Sequence, residues 1–585
     1  MIANKLDGQG SSLTVTTELS RLREYSEQNN VAEVNKCVNS LLSDPEFWIL
    51  CYESIKSNPG VNSPGGSSLT GKAVTMNGID LEFFHKLSIN IPRGNFNFGP
   101  IRKVEIPKPQ GGLRPLGIAD SRDKIVQKGI AVILEELSEH RFLDCSFGFR
   151  RGRSCHDAIA YVKRKVPSGN WAMKGDISKC FDRFNHKRLV YLIRKKYVSH
   201  QVFIDLIYKA LKTKIISISS SFINKIGTPQ GSVVSPILCN IYLHELDIFI
   251  NESETLDKFR SAKSATANPK FKALLSVSKE EDEKAESIKK SKGKLKYWKF
   301  LHKLRISKLK LAEKNNIQRV VFKVRNRRIA YVRYADDFIV FVWGTKNDCL
   351  EIKKLIKNFL KGDLDLNLSE EKFHLILLKK EKANFLGFQI WQSTTKLLSK
   401  KADINPYGKI DRVKINSKFR GASMQIPRTR ITFSMNDVLR KLVDKGFVRY
   451  KAGKFFPTSY KSVLQYDIAN IVSYNKAVFR GLANYYGFAH NWYDAKTLYN
   501  YFGRYCTAMT ISHKTKSKVP KVFKKYGPEL TTTDSNNKVI ASFDVLSNAK
   551  FKRNVRKSYV SFSHVTDIEQ LLLANLRVAK QHLIK

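Results

Sequence analysis

Acidic residues are scarce. Asp and Glu number 52 against 103 Lys and Arg, which leaves a formal net charge of +51 over 585 residues. A compact chain with that excess repels itself unless a polyanion neutralises it. Nucleic acid is the natural partner, because its phosphates release counterions when Lys and Arg bind. A ribosomal-type protein or a membrane-surface protein would satisfy the charge as well. An aromatic content of 11% argues for folded domains rather than a basic tail. Long apolar runs are missing too. None reaches the roughly 18 residues of a membrane span. The N-terminus, MIANKLDGQG, has neither an apolar signal core nor an Arg-rich amphipathic presequence. The expectation is a protein that works where it is made, or one whose targeting peptide lies outside this chain. Cysteines number eight, but none forms a CxxC pair or has zinc-finger spacing with His. Several, such as Cys239, sit in apolar surroundings and read as reduced, buried thiols. No internal repeat is present. What remains is 42% hydrophobic residues, enough for real cores, in a chain long enough for two to four domains.

Residues 1–45 read as helical, polar and loosely attached. Residues 57–72, dense in Gly, Pro and Ser, read as loop. From about 80 to 250, helix-like and strand-like segments alternate, with a strand over 101–106, a helix over 123–138 and a strand over 171–177. The pattern predicts an α+β domain. Residues 250–328 differ: Lys dominates, Gly is scarce, and 279–314 fits a charged helix. This stretch reads as an insertion, either a solvated helical excursion or a nucleic-acid contact. The chain turns helical and aromatic again over 464–512 and ends in an expected helix over 567–584.

The chemistry concentrates in 329–342, where two apolar runs flank Tyr334-Ala335-Asp336-Asp337. That is a β-hairpin with two carboxylates at its turn. Asp is common in turns for local reasons, so Asp-Asp alone is weak evidence. Here the turn is short and its flanks very hydrophobic. Adjacent anions in such a place repel unless cations bind them. Hard oxygen donors with open positions suit Mg²⁺, which keeps waters and substrate phosphates as further ligands. Asp176 ends the strand over 171–177 and supplies a second source of carboxylate. Two ions roughly 3.5–4 Å apart can activate a primer 3′-oxygen and stabilise leaving pyrophosphate. Asp176, Asp336 and Asp337 are therefore the candidate metal ligands.

In order, Asp176 with Phe181 five positions later, then GTPQGSVVSPILCN (227–240), then YADD resemble a reverse-transcriptase palm. More specifically, the chain resembles the group II intron-encoded reverse transcriptase/maturases. The likeness begins near SDPEFW and the NPG loop and runs through 98–118, 145–158, 364–376 and 385–388. It reaches 474–527, where YNKAVFRGLANYYGFAHN and KVPKVFKKYG resemble the maturase thumb, domain X. The resemblance implies a right-hand polymerase. Residues 1–84 would form an N-terminal extension, 85–400 fingers and palm, 401–530 the thumb, and 531–585 a basic tail.

It also implies roles. Phe181 would lie under the incoming sugar and exclude a 2′-hydroxyl, unless it is ordinary core. Gln230 would contact the nucleotide ahead of a helix starting near Ser235-Pro236, where Pro suits the first turn. Gly231 lets backbone come close to the nascent pair. Arg114, after a Gly-Gly turn, would grip triphosphate oxygens with Lys108 or Lys103 beside it. Lys372 is a candidate general acid for pyrophosphate, or a solvated surface lysine. Arg150, Arg151 and Arg153, interleaved with Phe147 and Phe149, suit template backbone and stacking. Arg480, His490 and Asn491 would reach RNA from the thumb.

The implied partners are host intron RNA, an RNA template, a DNA primer or target, and dNTPs, with two Mg²⁺ ions. No membrane partner is implied, and the sequence carries no signal of oligomeric state. No Cys/His cluster follows 530, so a metal-dependent second-strand nuclease is not expected. The tail is either a DNA-binding remnant or a support for the thumb. The long insertion inclines the reading toward an organelle, a mitochondrion before a plastid, with bacterial cytoplasm also compatible. Two rivals stand beside the enzyme: a splicing-only maturase and another palm polymerase.

Overall fold

The computed structural model describes residues 10–67, 75–107, 111–166, 171–217, 221–260, 266–267, 269–315, 317, 320–321, 328–393 and 428–547. Four helices open the chain: α1 (Gly10–Glu27), α2 (Val31–Ser43), α3 (Pro45–Ile55) and α4 (Leu81–Asn90). The side chains of Asn30, Asp44 and Asp80 cap the last three by accepting backbone N–H groups. A hairpin of β1 (Ile101–Pro107) and β2 (Leu113–Ile118) follows, then α5 (Ser121–Ser138). Gly111 and Gly112 turn that hairpin with φ of 88° and 82°. Helix α5 is buried almost all round and serves as the axle of this half. Gly129 is required there, since a Cβ would stand 2.5 Å from the Trp48 ring.

The expectation of a loose N-terminus is not met. Val15, Leu19 and Leu22, spaced i, i+4, i+7, are buried in the main core beside α5. Arg23 pairs with Glu136, and Ser26 Oγ donates to the Leu137 carbonyl at 3.1 Å. The apolar stripe is narrow and its surroundings polar, which is why the segment reads as loose.

The middle of the chain adds α6 (Cys155–Lys165), β3 (Trp171–Asp176), α7 (Cys180–Arg183), α8 (His186–Lys196), α9 (Gln201–Leu211), β4 (Lys214–Ile216), β5 (Ser221–Ile223) and α10 (Ser235–Glu252). The insertion holds α11 (Asp257–Arg260), β6 (Thr266–Ala267), α12 (Pro269–Leu275), α13 (Lys279–Lys314) and β7 (Val320–Val321). The core resumes with β8 (Arg328–Tyr334), β9 (Asp337–Trp343), α14 (Lys346–Asp363) and β10 (His374–Leu377). Four strands form an antiparallel sheet in the order β10-β3-β9-β8. Along β9, Phe338, Val340 and Val342 enter one core, while Ile339 and Phe341 enter a second. The sheet is buried on both faces, which explains the unbroken apolar run.

The second core belongs to the C-terminal half. A sheet of β11 (Ala383–Phe385), β12 (Phe388–Ser393) and β13 (Arg428–Thr432) ties it to the palm. Then come α15 (Met435–Asp444), the hairpin β14 (Val448–Lys451) and β15 (Lys454–Pro457), α16 (Ile468–Tyr486), α17 (Trp492–Thr497), α18 (Arg504–Lys514) and α19 (Val519–Tyr526). Strands β16 (Thr532–Thr533) and β17 (Val539–Ala541) close the described chain. The expected boundary at 530 falls inside this body, because Phe543 and Leu546 are buried in its core. Asp544 pairs with Lys476 at 2.8 Å and accepts from Tyr499 Oη at 3.0 Å. The helix expected over 567–584 lies outside the described residues. All eight cysteines are free, and all but Cys155 are buried. Among the described residues no helix is long and apolar enough to cross a membrane.

Candidate active site

The hairpin turn of β8 and β9 contains only Ala335 and Asp336, since Tyr334 pairs with Asp337. Ala335 holds a left-handed φ of 58°. A non-glycine there stores strain of about 1–3 kcal/mol, which the surroundings must hold. Two features hold it. Arg333 Nη1 donates to the Ala335 carbonyl at 3.0 Å. Gly148 presses on the turn so closely that a Cβ would lie 2.3 Å from Ala335 N.

Asp176 ends β3 directly opposite Asp337 in the antiparallel register. All three predicted carboxylates therefore meet at one end of the sheet. Lys372 Nζ donates to Asp176 Oδ2 at 2.7 Å, and Lys174 Nζ stands 3.7 Å from Asp337 Oδ1. Burial raises the Asp337 pKa to about 6; Lys174 opposes this, while Asp176 and Asp336 add to it. Asp336 is raised for the same first reason, and Asp176 adds to it. Two lysines do not offset three half-buried anions, so the cluster favours further cations. Among the described residues no three acidic, His or Cys side chains close on one centre. The three carboxylates are hard oxygen donors of the kind suited to Mg²⁺, which takes its other ligands from water or substrate phosphate.

Beside the carboxylates, Gln230 links two elements. Its Oε1 accepts from Arg114 Nε at 2.8 Å, and its Nε2 donates to the Asp182 carboxylate at 3.3–3.4 Å. The fingers hairpin and the loop are tied again by Gly117 N–H to the Gln230 carbonyl, 2.7 Å. Thr228 N–H donates to the Phe181 carbonyl at 2.6 Å, which fixes that loop on α7. As expected, α10 starts at Ser235 with Pro236 in its first turn. Phe181 is half-buried, with its ring edge-on to the exposed Phe149, 6.3 Å between centroids. Lys103 pairs with Glu105 at 3.1 Å, and Lys108 lies outside the described residues.

The expected nucleic-acid contacts need correction. Arg150 is turned inward. Its donors go to Glu139 and to the Leu143 and Ser146 carbonyls, which leaves none for phosphate. Arg151 pairs with Glu135 and Glu136 at 2.6 Å, and Arg153 with Asp144 at 2.9 Å. Both keep some exposure. Arg480 lies over the Tyr499 ring, 3.7 Å from Asp544. His490 Nδ1 sits 2.9 Å from both backbone polar atoms of Ile431, and Asn491 brackets those of Phe433 at 3.1 and 3.0 Å. His490 and Asn491 thus clamp β13 and its extension, with His490 still exposed, while the half-buried Arg480 braces Asp544.

Sequence reasoning missed Arg333, Asp247 and Asn240. Arg333 is fully buried, bonded twice to Asp247 (2.7 and 2.6 Å), to Asn240 (3.0 Å) and to Ser146 (2.8 Å). The only signal was a charge inside an apolar strand.

A palm sheet, a two-residue acidic hairpin and a fingers hairpin joined to it through Gln230 define a right-hand polymerase fold of the reverse-transcriptase class. A family model described as reverse transcriptase (RNA-dependent DNA polymerase) matches residues 106–260. A second, described as type II intron maturase, matches 427–569, past the expected boundary at 530. The group II intron-encoded protein LtrA of Lactococcus lactis is 31% identical over 514 residues, covering 87% of this chain and 79% of that protein. The chain belongs to the group II intron-encoded proteins. A putative COX1/OXI3 intron 1 protein of Saccharomyces cerevisiae is 31% identical over 566 residues, or 95% of this chain. This chain spans 63% of that protein's length and 61% of the intron 2 protein's. A solved telomerase structure from Candida albicans aligns over 83% of this chain and 64% of that one, with 10% identity. Its TM-score of 0.36 is too low to carry an argument.

Proposed function

We propose that the chain is an RNA-directed DNA polymerase that also binds its host group II intron RNA and promotes splicing and mobility. The observation that carries the enzyme half is the meeting of Asp176, Asp336 and Asp337 beside the Arg114–Gln230–Asp182 link. Asp176, Asp336 and Asp337 would hold two magnesium ions, which supply activation of the primer 3′-oxygen and charge relief on leaving pyrophosphate. Arg114, freed from Gln230, would grip the triphosphate bidentately, with Lys108 as a further candidate. Phe181 would pack under the sugar and select dNTPs. The Lys372 bond to Asp176 raises its pKa. It stays protonated at neutral pH and is suited to give a proton to pyrophosphate. Arg151 and Arg153, the half-exposed members of their cluster, are the candidates for template backbone. The intron-RNA half is supported by the maturase match and by relatives named for the introns that encode them. Yeast relatives named for COX1 introns favour a mitochondrial site.

Primer extension on an RNA template with Mg²⁺ tests the reading. Wild type should extend with dNTPs and poorly with NTPs. Asp336→Ala should abolish extension while RNA binding persists; parallel loss of both would make the site structural. A wild type that promotes splicing but extends no primer would establish the splicing-only alternative.

A further inference from the structure

The Lys-rich insertion is the one large feature this polymerase reading leaves unused. Helix α13 reverses at Gly293, whose φ of 80° and ψ of 166° leave the helical region. The two arms lie antiparallel. Lys308 bonds Glu281 and the Ser276 carbonyl (2.7 Å), and Lys289 Nζ stands 5.4 Å from the Tyr297 ring centroid. Residues 279–292 carry five cations and five anions, whereas 294–314 carry eight cations and one anion, a net +7.

The second arm has two faces. Tyr297, Leu301, Leu304, Lys308 and Ala312 lie on the side that meets the first arm and are half-buried or buried. On the other side Leu295, His302 and Ile306 form an exposed stripe. Trp298 and Arg305 flank it on one edge, Lys299 and Lys303 on the other, all exposed. Leu295 is 72% exposed and Trp298 63%. Among the described residues Lys299, Lys303 and Arg305 have no carboxylate partner, whereas Lys308 does. The insertion is rooted at the ends of α10 and β8 that lie away from the carboxylates. Helix α10 leaves the Gln230 loop and runs 18 residues, about 27 Å. Strand β8 returns over seven residues, about 20 Å.

We propose that this outer face is an RNA-binding surface that grips unpaired nucleotides of the folded intron RNA, away from the template–primer path. The proposal rests on the intron-RNA reading above. An exposed Trp stacks on a base whatever its identity, and Lys and Arg on both edges neutralise phosphates alongside. A membrane-surface helix buries a wide, continuous apolar face; this stripe is narrow and broken by His302. The unpaired cations favour a polyanion over a protein partner.

The test uses the full chain as wild type, W298A and the triple K299E/K303E/R305E. The probes are a folded group II intron RNA and a DNA primer on a short unstructured RNA template. W298A should weaken intron-RNA binding about tenfold. The triple should weaken it further and flatten the log–log salt slope by about 2, three phosphates at about 0.7 each. Extension on the short template should stay at the wild-type rate. If both variants bind intron RNA as wild type does, with the same slope, the surface does something else and the polymerase–maturase reading stands. A wild type with no preference for intron RNA over a length-matched control would remove the reading and this inference together. Variants that keep RNA binding but lose adsorption to phosphatidylserine vesicles would assign the face to a membrane.

Discussion

Arg333 shows how much a single buried side chain can carry. All five of its N–H donors are used, and one of them holds the strained turn at Ala335. Lysine keeps the charge but lacks the planar fork, so it cannot replace those bonds. Breaking a buried pair of this kind costs about 3–5 kcal/mol. Arg333→Lys should therefore lower the unfolding midpoint and reduce extension at least tenfold with primer binding intact; unaltered extension would mean the turn holds itself. Asp123 gives a pH prediction. Burial first, then Asp120, raises its pKa to about 8, while the Gly99 N–H at 2.9 Å opposes the shift. Its unfolded pKa is about 3.9. Between these values the unfolded chain has released the proton that the folded chain keeps, so stability falls as pH rises from about 4 to about 8 and levels above. Asn at 123 keeps an acceptor for Gly99 and does not ionise. Thermal melts of Asp123→Asn should lose part of the pH dependence seen in wild type over that window. Parallel curves for the two proteins would rule this group out as its source.

At the scale of elements, what could be read from the sequence was local order, and what could not was long-range pairing. The acidic hairpin was legible because β8 and β9 alternate between two cores on either side of a two-residue turn. The Gln230 loop was legible because Pro236 marks the start of α10. The fates of Arg150, Arg480, His490 and Asn491 were not, because a basic or polar side chain does not announce which carbonyl or carboxylate it will meet. Arg333 and Asp247, 86 positions apart, are the clearest case. The thumb boundary failed for a similar reason: Phe543 and Leu546 read as isolated apolar residues in a basic tail, yet they complete a core. Burying one Phe and one Leu contributes about 3–6 kcal/mol. A chain ending at 530 should therefore have a thumb that melts earlier and is cut sooner by protease, while the palm stays resistant. Equal resistance of thumb and palm in the shortened chain would put the domain boundary back at 530.

For the whole molecule, the charge of +51 remains to be located. Arg150 and Arg333 are held inside by the fold, so they do not serve an external polyanion. The excess remains after they are set aside; the second insertion arm carries +7 of it, and Arg and Lys elsewhere on the surface carry more. Exposed charges of this kind are screened by salt, whereas the half-buried carboxylates at the hairpin end of the palm sheet are screened much less. The two halves of the proposed function should therefore separate on a salt titration. RNA affinity should fall by about three to five orders of magnitude between about 50 and 200 mM salt if six to ten phosphates are neutralised. The extension rate at saturating primer–template should change little over the same range, because its proposed chemistry rests on Asp176, Asp336 and Asp337 rather than on the surface field. Affinity that held constant with salt would mean that RNA is bound mainly by stacking and neutral contacts. In that case Trp298 and Phe149, not the lysines, would be the residues to remove first.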